Sequence, residues 1–164
     1  MATVYKDNVT VADQLTVGKD ATVTGTFSAA SIQTSGSITN TAGAIVSSYP
    51  LGGVGYSVGA GGTVVQASLK SSAFTLSAVT GKITLGGDAL AGYGTSSSAM
   101  WTNTAIASSD VVIFNHVSGG TVGKYTFTAQ CSAGKAVLYT ANISSASLTE
   151  TPILQFAVIK GAQA

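Results

Sequence analysis

Between Asn8 and Ala42 apolar and small polar residues alternate in units of six, reading NVTVAD, QLTVGK, DATVTG, a shortened TFSAA, SIQTSG and SITNTA. The second position of the unit holds Val9, Leu15, Ala21, Phe27, Ile32 and Ile38. The fourth holds Val11, Val17, Val23 and Ala29 before fading to Thr34 and Asn40. Alternation with a period of two marks a strand with one buried face, and recurrence at a short fixed spacing marks a repeat architecture. A hexad of this kind cannot bury itself, so the segment predicts strands that need identical neighbours.

The pattern changes near residue 50. AGAIVSSYPLGG, from Ala42 to Gly53, is a connector punctuated by Pro50 and a glycine pair. Beyond it come short β-rich runs bounded by Gly and Ser: GYSVG, TVVQAS, AFTLS, GKITLG, AMWTNT, DVVIFNHV, KYTFTAQCS, KAVLYTANIS and PILQFAVIKG. Such spacing predicts an all-β protein: an N-terminal hexad segment over 1–49, then a C-terminal β-sandwich, jelly-roll-like, over 50–164. A single short helical or turn segment is allowed at Asp88 to Gly92. In KYTFTAQCS, Tyr125, Phe127 and Ala129 share one face and Thr126, Thr128 and Gln130 the other. In ILQFAVIKG both faces are substantially apolar, which predicts a central strand or one at a subunit contact. Trp101 is expected in the core.

Composition sharpens the need for neighbours. Only 8% of the residues are charged, against about 25% in an average soluble protein, and there is no arginine. A chain so poor in charge has little to keep exposed β structure from self-association. Net charge is +1 with the lysines scattered singly, so nothing here predicts nucleic-acid binding. No apolar run reaches the roughly 18 residues of a membrane helix, and the start, MATVYKDNVTVADQ, has neither the basic nor the apolar region of a signal peptide. The expectation is synthesis in a cytoplasm with no membrane partner. Cys131 is the only cysteine, which rules out an intrachain disulfide, and is expected as a buried strand thiol.

Several patterns imitate chemistry. Gly55-Tyr56-Ser57-Val58-Gly59 has the G-x-S-x-G form of a hydrolase elbow, with Asp88 or Asp110 and then His116 downstream. That motif needs a strand-to-helix turn above an α/β sheet, and no such pattern surrounds it, so the segment reads as a glycine-rich β-loop. His116, the lone histidine, lacks ligand partners at any metal spacing and is expected at a strand end, bonded to backbone. A glycosidase pair would have to come from Asp88, Asp110 and Glu150, with no local motif to support it. The hexads are too few for a single-chain β-helix of the acyltransferase kind, and they contain no histidine. Asn8-Val9-Thr10 and Asn142-Ile143-Ser144 match a glycosylation acceptor but read as turn and strand residues. No catalytic residue, cofactor site or metal site is expected, and the chain does not read as an enzyme.

The pieces Gly55-Tyr56, GAGGTV (59–64), TGKIT (80–84) and FAVIKG (156–161), with the runs between them, resemble a C-terminal β domain recurring in tailed-bacteriophage and prophage virion proteins. The likeness covers roughly 54–161. The hexads separately resemble the interwoven triple-stranded stalks of phage fibres and spikes. What the resemblance implies is a virion structural role and a homotrimer, with Val9, Val11, Leu15, Val17, Val23, Phe27, Ile32 and Ile38 filling the stalk core. The departure from that family is the short N-terminal segment, in which no tail-attachment domain is recognisable. The thirty-five hexad residues span at most roughly 115 Å even when extended, too short for a long fibre. The expectation is therefore a capsid decoration, or cement, protein on the outside of the shell, bound to the major capsid protein. The alternative is a short tail fibre, spike or head fibre binding a host receptor or glycan, with Tyr56, Tyr93, Trp101 and Tyr125 as the aromatic contacts.

Overall fold

The computed structural model describes residues 22, 24, 26–29, 31–35, 38, 55–56 and 59–161. The chain divides into two compact units, Met1–Val46 and Ser47–Ala164. In the first, Phe27, Ile32 and Ile38 are exposed in the single chain, at 63%, 61% and 66%, and the described residues carry no strand. Val9, Val11, Leu15, Val17 and Val23 lie outside the described residues.

The second unit is a sandwich of two four-stranded sheets, with no helix among the described residues. Its strands are β1 (Gly61–Val65), β2 (Phe74–Thr75), β3 (Thr80–Thr84), β4 (Thr95–Thr102), β5 (Val111–Ser118), β6 (Tyr125–Ser132), β7 (Lys135–Asn142) and β8 (Ile153–Ile159). One sheet has the order β1-β3-β8-β5 and the other β2-β4-β7-β6. The pairs β1/β3 and β2/β4 are parallel and the rest antiparallel. Eight of the nine runs read from the sequence contain a strand. The exception is GYSVG: Gly55 and Tyr56 have no regular structure and Gly59 is in a turn. Asp88 to Gly92 is not helical either; Leu90 instead forms an isolated bridge to Leu148.

The sheets are held together by the alternation that the sequence displays. Ile83, Leu154, Phe156 and Val158 point inward from one sheet, and Phe74, Ala99, Trp101, Ala136 and Leu138 from the other, all buried. Trp101 has no exposure. Its ring meets the edge of Phe156 at 4.7 Å between centroids and stacks on Phe74 at 5.9 Å, while Nε1 donates to the Leu76 carbonyl at 3.0 Å. Such a site satisfies both the apolar body and the polar tip of an indole. β8 is interior to its sheet, as its two apolar faces predict.

Glycine permits the parallel pairing of β1 and β3. Gly62 and Gly81 stand opposite each other, and Gly81 has φ of 154°. A Cβ on Gly81 would run into the backbone of Gly62, so a side chain there would push the edge strand away.

Candidate assembly surface

The two outward faces of the sandwich differ in chemistry. On the β2-β4-β7-β6 sheet the outward positions of β6 are Thr126, Thr128, Gln130 and Ser132, and those of β4 include Ser98, Met100 and Thr102. Met100 and Tyr139 are that sheet's exposed large apolar side chains, at 43% and 38%. On the other sheet the outward positions of β5 include Val111, Ile113 and Val117, exposed at 55%, 52% and 47%. β8 adds Ile153, Ala157 and Ile159, and β1 adds Val65 at its edge.

Register orders these side chains into bands. Ala157 lies opposite Ile113, and Ile159 opposite Val111. One step along, Thr63 faces Lys82, Lys82 faces Gln155 and Gln155 faces Asn115, a polar row across all four strands. Val65, Thr84 and Ile153 form the next level. The face is thus apolar, polar, apolar, with Lys82 the one charge within those rows.

Tyr56 borders this face. Its hydroxyl donates to the Val158 carbonyl, on a residue whose amide donates to the Val79 carbonyl at 2.8 Å. With Gly55, Ile113, Ala157, Ile159 and Lys160 it lines a mostly apolar groove of about 490 Å³. On its other side, a shallower depression of about 740 Å³ runs over the glycine-rich start of β1 to Lys82 and Gln155.

The groups that could imitate an active site are engaged separately. Asp110, buried, accepts from Lys160 Nζ at 2.5 Å and from the amides of Ala107 and Gly161 at 2.8 and 3.0 Å. The Lys160 hydrogen bond, then the Ala107 amide, hold its carboxyl below the usual carboxylate range. Asp88 is bound to Lys70. Glu150 accepts from the hydroxyl and amide of Thr121, which lower its pKa. His116 does lie near the end of a strand and is bonded to backbone, with Nε2 3.0 Å from the Ser118 carbonyl, and its ring meets the edges of Phe127 and Tyr125. Neither aspartate is its hydrogen-bond partner, and Ser57 lies outside the described residues. Cys131 is half-buried on β6, and burial pushes its thiol pKa up. The Tyr125 hydroxyl is buried with no acceptor in hydrogen-bond geometry; burial, and then the nearby Glu150 carboxylate, push its pKa far up. Among the described residues no three His, Cys, Asp or Glu side chains group as a metal site, and no helix is long and apolar enough to cross a membrane.

Two expectations of aromatic contacts need correction. Trp101 and Tyr125 belong to the interior, at 0% and 7% exposure, and cannot stack on an external sugar; Tyr56 and Tyr93 remain exposed. Asn142 is also fully buried. It donates to the carbonyls of Leu90 and Ala146 and accepts from Ser144, so it is a turn-forming residue with no free amide.

The apolar outward half of β5 is what sequence reasoning missed. DVVIFNHV reads as a run entering the core, yet its near-continuous apolarity is the signal that both faces are covered. Comparison with protein-family models, with curated proteins and with solved structures gave no match.

Proposed function

We propose that the chain is a virion structural protein: a homotrimeric capsid decoration protein that binds the outside of a phage shell and stabilises it. The observation that carries this reading is the outward face of the β1-β3-β8-β5 sheet, where Val65, Val111, Ile113, Val117 and Ile159 are all about half exposed or more. Two exposed apolar bands flanking a polar row, on a sheet of low charge, favour a contact with another protein. Phe27, Ile32 and Ile38, exposed in the single chain, add a second surface that calls for neighbours. Three linked copies bridging capsomers would hold by avidity, each contact too weak to act alone. The activity is adhesion, with no bond made or broken in the capsid.

Sedimentation of the purified chain and copy number in the purified particle test it. The reading expects a trimer at micromolar concentration and a copy number comparable with the major capsid protein. A monomer, or a few trimers per particle, would overturn it.

Tyr93 favours a second reading. It is 86% exposed on a turn, at positive φ of 59°, a conformation uncommon for an aromatic residue and often found at functional sites. In a short fibre or spike it would offer a ring to a host glycan. A Tyr93→Ala variant that loses binding to host cells, from particles carrying few copies, would support this over decoration.

A further inference from the structure

Lys70 is enclosed by the loops that follow β1 and β3, and its side chain has no exposure. Nζ donates to the main-chain carbonyl of Asp88 at 2.5 Å and stands 3.7 Å from Asp88 Oδ1. The Lys70 amide donates to that same Oδ1 at 2.5 Å. Gln66, also buried, fixes the surroundings: it donates to the carbonyls of Lys70 and Ser72 and accepts from the Gly86 amide at 3.1 Å. The loops approach so closely that a Cβ on Gly86 would stand 2.7 Å from the carbonyl oxygens of Ser68 and Leu69.

This arrangement exceeds what an ion pair requires. The cation is fully desolvated, its short bond goes to a carbonyl, and the carboxylate oxygen is held just beyond contact by a backbone donor. Burial lowers the Lys70 pKa against the opposing pull of Asp88 and, less strongly, Glu150.

From this geometry we propose that Lys70 and Asp88 condense into an intramolecular amide. Within the pair a proton passes from the Lys70 ammonium to the Asp88 carboxylate oxygen that will leave. The Nζ lone pair so freed attacks Cγ, and the negative charge that develops on Oδ1 is stabilised by the Lys70 amide already aimed at it. The C–O bond to the other oxygen breaks, and that oxygen leaves as water with a proton from nitrogen. One C–N bond replaces one C–O bond; starting from ammonium and carboxylate, both charges vanish and one water is released, with no oxidant or co-reactant. Holding the groups together, with the lysine side chain fully buried and the Asp88 side chain 27% exposed, supplies the effective concentration that the reaction lacks in solution. The product staples two loops through residues 18 apart in sequence. It would give a chain with a single cysteine a covalent tie that a disulfide cannot supply. The inference does not depend on the particle to which the chain belongs.

Intact-mass spectrometry of the purified full chain tests it, followed by tryptic mapping. The expected mass is about 18 Da below the sequence mass, with no cleavage after Lys70 and a branched peptide joining Lys70 to Asp88. Lys70→Met should abolish the loss. Asp88→Asn should form the same bond with release of ammonia, a deficit of about 17 Da. An unshifted wild-type mass after prolonged incubation would overturn the proposal, as would an equal loss of water in Lys70→Met.

Discussion

Lys160 Nζ lies 2.5 Å from Oδ2 of Asp110, joining the end of β8 to the loop that leads into β5. The pair is lopsided: the carboxylate side chain is fully buried while the lysine is 55% exposed. Asp110 is therefore the hub, since it also takes the amides of Ala107 and Gly161, and Lys160 spends a second bond on the Ala105 carbonyl at 2.9 Å.

The consequence is a pH dependence of known sign. Because the native pKa of Asp110 is depressed, the unfolded chain binds more protons in the acid range. The pair's stabilisation is present in full above the unfolded value of about 3.9 and is lost as pH falls through the native one. Lys160→Met should lower the melting temperature at pH 7, and the gap to wild type should close in acid. Thermal melts from pH 7 to pH 2 check this; a constant gap would show that Lys160 acts by packing alone.

Trp101 is the side chain whose loss should cost most. Its replacement by Ala removes contacts to Phe74 and Phe156 and leaves the Leu76 carbonyl without its donor. Aromatic truncations in a core cost about 3–5 kcal/mol, a large part of a typical domain's stability. Denaturant titration should show that loss, and Trp101→Phe should lie between, because it restores the ring but not the N–H.

Much of this core was legible because burial follows a period of two. Tyr125 and Phe127 face inward while Thr126 and Thr128 face out, as alternation requires. The start of β4 was not legible. Thr95 to Ser98 reads as a loop by composition, yet pairs along its length with the far end of β7, since a well-formed partner strand recruits residues of poor propensity. The clusters around Asp110 and Lys70 were also hidden: each joins residues 50 or 18 positions apart, and no local pattern encodes that meeting. The hexads are the reverse case, clear in sequence, with Val9, Val11, Leu15, Val17 and Val23 outside the described residues.

Gly81→Ala should weaken the edge of the sheet selectively. The added methyl meets Gly62 across the parallel pair, and the backbone angle disfavours any side chain. Hydrogen exchange should quicken in β1 and at its contacts in β3, while β6 and β7 in the other sheet keep their protection. Uniform loss of protection would mean that β1 folds as one unit with the whole sandwich.

The apolar outward face leads to a prediction that separates assembly from folding. Ile113 is 52% exposed and shares a groove with Ile159 and Lys160, so Ile113→Lys places a second ammonium beside an existing one without entering the core. In a single chain such a surface change should alter stability by no more than about 0.5 kcal/mol. Where copies meet through this face, the same change buries an unpaired charge at every contact, at a cost of several kcal/mol each. Sedimentation should then shift to the monomer while circular dichroism stays that of the wild type. Val17→Asp probes the hexads independently by setting like charges together in the proposed stalk core. If Ile113→Lys alone dissociates the protein, the sandwich face holds the copies together. If only Val17→Asp does, the proposed stalk holds them and the face is free for the proposed contact with a capsid. Unchanged sedimentation in both would leave neither surface as the site of self-association.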